Sequence, residues 1–307
     1  SINTGSGITY LNGAVGSTVK LSSITLNGSS SILNSVNTTG TQTYGGNVTL
    51  TSPSASLNSD AGSVNLVGNS FTLYQGLSYQ VVGNLSALQN IGTNNTTLSG
   101  NWILGTDIDA SFTASMNQGL GFAPIGTQST PFIGKVINNF NHTINNLSIN
   151  RPTTDYVGLF GYVSNASISG VRITNSNITG QSYVGGLAGF IVNSNISGNR
   201  VLGVTNGTYY VGGLIGLQQD SYVNSSITSG NVSGLADVGG LVGTIYSSLN
   251  NVSGNSINNS SSSATVVASG TGNPNEFFSY LIGTNAGGLV GLNLGTTINQ
   301  SYATGNV

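Results

Sequence analysis

A short phrase recurs through the second half of this chain and narrows what it can fold into. It reads Val157-Gly158-Leu159-Phe160-Gly161, then Val184-Gly185-Gly186-Leu187-Ala188-Gly189. It returns as Val211-Gly212-Gly213-Leu214-Ile215-Gly216, Val238-Gly239-Gly240-Leu241-Val242-Gly243 and Ala286-Gly287-Gly288-Leu289-Val290-Gly291. The leucines are 28, 27, 27 and 48 residues apart. A repeat of this size is one turn of a stack, too small to bury its own apolar face and stabilised by the turns on either side.

Positions keep their character from one repeat to the next. Nine residues after each leucine stand Ile168, Ile196, Val223, Asn250 and Ile298, apolar and β-branched in four of the five cases. Just before the phrase stand Tyr156, Tyr183 and Tyr210, followed in later repeats by Asp237 and Asn285. If the turns stack at the spacing of β-strands, about 4.8 Å, the leucines form an inner ladder and the tyrosines a short aromatic one. The glycines Gly158, Gly186, Gly213, Gly240 and Gly288 fit a flat corner that needs a positive φ or a close backbone approach. The 48-residue interval reads as a degenerate coil plus a surface loop, an insertion near 255–282 that carries the adjacent Phe277 and Phe278.

Upstream the strand signal is alternation. Thr18-Val19-Lys20-Leu21, Ser23-Ile24-Thr25-Leu26, Asn47-Val48-Thr49-Leu50 and Ser63-Val64-Asn65-Leu66 are each bounded by Gly, Asn or Ser. Such period-two runs between turn residues are strands. The expected architecture is all-β, a right-handed parallel β-helix forming one continuous solenoid. Three stretches divide it: 1–75, 76–152, which is irregular, and 153–307, which holds the repeats. The last residues break off where another phrase is due, so the chain reads as a segment of a longer protein.

Two stretches carry a family resemblance. Thr41-Gln42-Thr43-Tyr44-Gly45-Gly46-Asn47-Val48-Thr49-Leu50 resembles phrases of filamentous-haemagglutinin-like exoproteins. Asp107-Ile108-Asp109, Pro124-Ile125-Gly126, Pro131-Phe132-Ile133-Gly134, His142-Thr143-Ile144-Asn145-Asn146-Leu147-Ser148-Ile149 and Tyr156-Val157-Gly158-Leu159-Phe160-Gly161 together resemble the lead-in to GLUG-repeat regions. Those regions occur in bacterial surface adhesins and near IgA-cleaving metallopeptidases. One departure is Val136-Ile137-Asn138-Asn139-Phe140-Asn141-His142, where the family carries an acidic "FDGNGH" turn. The resemblance implies a secreted bacterial surface adhesin, exported by two-partner secretion through an outer-membrane transporter and folding after exit.

Composition limits the chemistry. Charged residues make up 4% of the 307 residues, against roughly 25% in an average domain. Five Lys and Arg cannot make the basic stripe of a nucleic-acid binder. No apolar run reaches the roughly 18 residues of a membrane-spanning helix, so no membrane insertion is expected. With no cysteine and one histidine, zinc and thiol chemistry are not expected. The glycine phrases lack the Gly-Lys-Ser/Thr of a phosphate loop. His142 has no carboxylate close by in sequence and reads as structural. Asp107 and Asp109 alternate, a pattern open to strand capping, to calcium or to acid–base work, of which capping fits best. No catalytic residue, metal or cofactor is expected.

Asn-x-Ser/Thr occurs eighteen times, including at Asn47, Asn84, Asn141, Asn165, Asn177, Asn195, Asn231 and Asn251. Abundant Asn, Ser and Thr generate many of these by chance, and glycosylation is the functional reading. The functional expectation is a stalk and display surface that attaches to a host cell, a glycan or a matrix component, with Tyr156, Tyr183, Tyr210, Phe277 and Phe278 as surface contacts. The alternatives are a self-associating filament, sheath or biofilm-matrix subunit and, as a minor reading, a β-helical polysaccharide-degrading enzyme.

Overall fold

The computed structural model of the protein describes residues 1–73, 76–248, 255–270 and 284–307. Phe277, Phe278, Asn250 and Asn251 lie outside the described residues. The fold is all-β and β-helix-like, built from sheets whose strands are almost all parallel. It divides into two compact units. One comprises Ser1–Leu88, Gly100–Ile108 and Val136–His142; the other comprises Gln89–Ser99, Asp109–Lys135 and Thr143–Val307.

In the first unit most strands are three or four residues long. Ile24, Gln42 and Val64 share one register, on the strands Ile24–Leu26, Gln42–Tyr44 and Val64–Leu66, so this face returns after 18 and then 22 residues. A second face stacks Ile8–Leu11, Ser29–Ile32, Val48–Leu50 and Ser70–Thr72, and a third pairs Val36–Thr38 with Leu57–Ser59. Alternation sends Leu26, Ile32, Val36, Val48, Leu66 and Phe71 inward. The Gln-Thr-Tyr phrase has a physical role here. Buried Gln42 donates its amide to the Val36 carbonyl at 3.0 Å and the Asn58 carbonyl at 2.7 Å, and it accepts from the Tyr44 hydroxyl at 2.8 Å. A polar side chain is tolerated inside because its hydrogen bonds are satisfied. Burial pushes the Tyr44 phenol well above its ordinary value.

In the second unit a regular repeat supplies four strands. One complete turn runs Ser182–Gly185, Ala188–Val192, Asn195–Ser197 and Arg200–Asn206, and the next begins at Tyr209–Gly212. Each strand pairs in parallel with its counterpart one turn later. The phrase leucine sits at the corner between the first two strands. Leu159, Leu187, Leu214 and Leu241 are buried, and their backbones form a chain: Leu187 donates to Leu214, Leu214 to Leu241 and Leu241 to Leu289, at 2.8–2.9 Å. Leu289 in the last turn is half-buried. The direct Leu241–Leu289 bond makes the 48-residue interval a single turn. The inner column then runs Ile168, Ile196, Val223, Ile257 and Ile298. Ile257 therefore takes the place that equal spacing gave to Asn250.

The paired glycines work by close approach and not by positive φ. A Cβ on Gly186 would lie 2.5 Å from the Gly213 carbonyl oxygen, and one on Gly158 would lie 2.5 Å from that of Gly185. The final glycine of the phrase has the same reason: a Cβ on Gly216 would meet the Val184 nitrogen at 2.5 Å and the Gly189 oxygen at 2.6 Å. The left-handed backbone falls one step earlier, on Tyr156, Tyr183, Tyr210 and Asp237, at φ 55–59°.

Two further corners flank the short strand Asn195–Ser197, and each follows the same device. A residue of positive φ, such as Asn193 or Gly198, is followed by a buried Ser or Asn. Ser194 accepts from the Ala166 nitrogen at 3.2 Å and donates to the Val192 carbonyl at 2.7 Å. Ser221 repeats this one turn on, accepting from Ser194 at 3.0 Å and donating to the Gln219 carbonyl at 2.6 Å. At the other corner Asn199, Ser226, Ser260 and Ser301 form the parallel series. Each corner thus satisfies a backbone N–H that the strand ladder leaves unpaired.

Two glycine substitutions should separate these effects. Gly216→Ala forces backbone apart and should lose about 3 kcal/mol or more. Gly198, at φ +64° with its nearest neighbouring atom 3.8 Å from a would-be Cβ, should lose only the left-handed strain of about 1–2 kcal/mol on change to alanine. Urea unfolding of both variants gives the ranking, and equal losses would contradict it.

Candidate functional site: an aromatic face with an adjoining cleft

The left-handed corner before each phrase carries tyrosine in three successive repeats. Tyr156 and Tyr183 stack with centroids 4.7 Å apart and planes 6° from parallel, and Tyr183 and Tyr210 stack at 4.9 Å and 16°. A second file lies alongside. Tyr162 and Phe190, paired in register on Phe160–Ser164 and Ala188–Val192, stack at 4.6 Å. Edge-to-face contacts at 5.5–6.1 Å join the files: Tyr156 meets Tyr162 and Phe190, and Tyr183 meets Phe190. Glycine makes the base of this cluster, since a Cβ on Gly189 would collide with the Tyr156 backbone and the Tyr183 carbonyl. Tyr156, Tyr162, Tyr183 and Phe190 stay half-exposed, whereas Tyr210 is 4% exposed. Burial raises the Tyr162 phenol above its ordinary value.

The outer file changes chemistry along the repeats. It continues from Tyr210 into Asp237 and Asn285, whose amide donates to the Asp237 carboxylate at 2.6 Å. Burial pushes the Asp237 carboxyl up, and the Asn285 bond works against that rise.

A cleft of about 260 Å³ opens at the Tyr156 end. One wall is the loop through Pro124, Gly126 and Gln128; the other is the turn from Arg151 to Tyr156. Gln89 fixes the first wall by exchanging two 3.0 Å hydrogen bonds with the Ala123 backbone. Ile125 then bridges to Phe160 and Phe132 to Val163, extending the sheet below the first repeat. A Thr127–Thr130 turn closes the loop. The second wall is held by Thr154, which donates its N–H to the Arg151 carbonyl and accepts from Gln181. The Asp155 carboxylate accepts from the Ser182 nitrogen at 3.0 Å. Arg151 donates from Nε to the Phe122 carbonyl at 3.3 Å, and desolvation lowers its guanidinium below the ordinary value. Arg151 and Asp155 both line the cleft, yet no ion pair joins them.

The structure brings together some sequence-level candidates and separates others. His142 is buried, and its Nδ1 stands 3.7 Å from Asp107, a carboxylate 35 residues away that sequence proximity does not reveal. Its Nε2 is 2.8 Å from the Val64 carbonyl, which requires the proton on Nε2 and leaves that nitrogen occupied. Asp109 accepts from the Ser111 nitrogen at 2.9 Å, and this bond leads in holding its carboxyl below the usual range. Among the described residues no three of His, Asp or Glu cluster as metal ligands would. Asn47, Asn84, Asn141, Asn165, Asn177, Asn195 and Asn231 are exposed. Asn224, Asn258 and Asn299 share one column on successive turns, with Asn299 donating to Asn258 at 3.2 Å. Among the described residues no helix is long and apolar enough to cross a membrane.

No protein-family model matches the chain. Over 117 residues, 36% of the chain, it is 37% identical to halomucin of Haloquadratum walsbyi; the matched stretch is 1% of halomucin's length. Among solved structures, a Bacteroides ovatus protein named as a candidate immunoglobulin A1 protease aligns with 73% of this chain and 75% of its own, at 14% identity and a TM-score of 0.41. So distant a likeness assigns no chemistry to the cleft.

Asp237 gives a pH test. Its carboxyl is raised in the folded state, so its contribution to stability is present below the unfolded aspartate value and is lost as pH rises through the folded one. Asp237→Asn removes that loss and can still accept from Asn285. Thermal unfolding at about pH 3 and about pH 7 should find the variant matching the parent at the lower value and more stable at the higher. A variant less stable at neutral pH would reverse the assignment.

Proposed function

We propose that this chain is a β-helical segment of an extracellular surface protein, acting as a stalk and as a display face for attachment to cells, glycans or matrix. The observation that carries this is the two files of stacked rings, in which Tyr156, Tyr183, Tyr162 and Phe190 stay part-exposed. Large half-exposed rings held in file are contact groups, because they offer wide, rigid, amphipathic area at little entropy cost. The local likeness to halomucin supports the location. The GLUG-like phrases favour an adhesin over other surface proteins. The proposal involves no catalytic step.

A filament or sheath subunit is the second reading.

The purified chain, immobilised on beads, should adhere saturably to at least one cell, glycan-coated or matrix-coated surface, and Tyr183→Asn should weaken adhesion. No adhesion together with sedimentation as homotypic assemblies would replace this reading with the filament.

Glycosylation is part of the same proposal. Asn177 and Asn231 share a column two turns apart, with Val204 between them, so about 10 Å separates them. Asn224, Asn258 and Asn299 are one turn apart and crowd one another. Mass spectrometry of chain from its native host should find glycans at Asn177 and Asn231 and never at all three ladder asparagines of one molecule. A fully occupied ladder would contradict that spacing argument.

A further inference from the structure

We propose that the cleft bounded by Pro124, Gln128, Arg151, Thr154, Asp155 and Tyr156 binds a neutral pyranoside, with the aromatic files as the track along which a longer oligosaccharide continues. The inference rests on the display reading above and names the ligand class of that face.

The chemistry follows from what the cleft combines. A pyranose ring has an apolar C–H face and a rim of hydroxyls, each both donor and acceptor. The half-exposed Tyr156 ring and the Pro124 ring offer apolar surface for the face. Asp155 accepts only and Arg151 donates only, so the two divide the rim between them. They line one cleft without pairing to each other. Each is also held in place: Asp155 by the Ser182 nitrogen, Arg151 by the Phe122 carbonyl. Held groups lose little freedom on binding. The volume of about 260 Å³ lies just below the usual range of ligand sites, a fit for one sugar ring rather than a peptide.

Charge excludes the neighbouring classes. An anion in the cleft meets Asp155 and a cation meets Arg151, whereas a polyol satisfies both. A purely apolar ligand would leave the Arg151 guanidinium further desolvated with nothing to pair it, on top of the burial that already lowers its pKa. Beyond the cleft, Tyr156 is followed by Tyr183 at 4.7 Å and bordered by Tyr162 and Phe190. Sugar rings beyond the first therefore meet the part-exposed rings of Tyr183, Tyr162 and Phe190 before the file reaches Asp237, which gives affinity that grows as the first rings are added.

The repeat supplies its own test substitution. Asp237 takes the same left-handed backbone as Tyr156, and Asn285 follows in the same column, so Tyr156→Asn removes the ring without straining the corner. Asp155→Asn keeps an acceptor for Ser182 and removes the charge. The purified chain should be titrated calorimetrically with cellohexaose, maltohexaose, mannohexaose and chitohexaose, and with a hexamer of galacturonate as the anionic probe. At least one neutral hexamer should bind saturably, more tightly than its trimer, with the uronate weaker. Tyr156→Asn and Asp155→Asn should each weaken it about tenfold, with unchanged circular dichroism and melting temperature. Tyr222→Asn, an exposed ring on a different sheet, should leave it unchanged. Absence of saturable binding by every neutral hexamer overturns the proposal, as does binding that both cleft variants retain in full. In either case adhesion of the beads to a matrix or cell surface still upholds the display reading, so the two fail separately.

Discussion

The register of the inner corners governs the second unit. A turn contributes only if its leucine backbone meets the one above and the one below, and that bond tolerates no drift in the residues between. Leu187, Leu214 and Leu241 stand in sequence at the intervals that bring their N–H and carbonyl groups together. Each turn buries a few apolar side chains, far too few to hold alone. The apolar columns and the backbone ladder therefore stabilise the same arrangement, and a sequence change is tolerated to the degree that it leaves the corners in place. The 48-residue interval between Leu241 and Leu289 shows such tolerance, since the two leucine backbones still meet directly.

Corners are where polar backbone would otherwise go unpaired, and three different answers appear in this chain. At the phrase, glycine lets neighbouring backbones approach directly. At the two corners around Asn195–Ser197, a buried side chain accepts from one turn, and the serines donate back within their own. In the first unit, the buried Gln42 amide spans two carbonyls of different turns. The charge-poor composition fits these answers: hydroxyls and amides can both donate and accept, as a corner requires, without the desolvation cost of an ion.

Much of this was legible in the sequence because periodicity survives without tertiary knowledge. The phrase leucines, the β-branched column and the tyrosine file are all visible as equal spacings. The glycine rationale was legible only as two possibilities, and the structure selects close approach while placing the left-handed backbone on tyrosine, a residue that sequence rules do not associate with it. Asn250 was misplaced because equal spacing fails where a turn is lengthened, and Ile257 holds the column instead. The Ser194 and Ser221 series went unread among so many serines, although a serine two residues before Ile196 and again before Val223 was its signal. The pairing of His142 with Asp107 and the cleft of Arg151, Asp155 and Tyr156 depend on segments that irregular backbone brings together, and no period reports them.

The tyrosine corner has a consequence of its own. Tyr156, Tyr183, Tyr210 and Asp237 share one backbone conformation, yet their side chains pass from aromatic to acidic. The inward neighbours Val157, Val184, Val211 and Val238 are alike and buried throughout, although Tyr210 is buried as well. The valine column is thus uncoupled from the side chain beside it. A lineage can rewrite the exterior one turn at a time, by single substitutions, while the scaffold beneath stays the same. Surfaces under pressure to vary, such as those met by antibodies, phages or shifting neighbours, are served by a fold that separates what it displays from what keeps it standing.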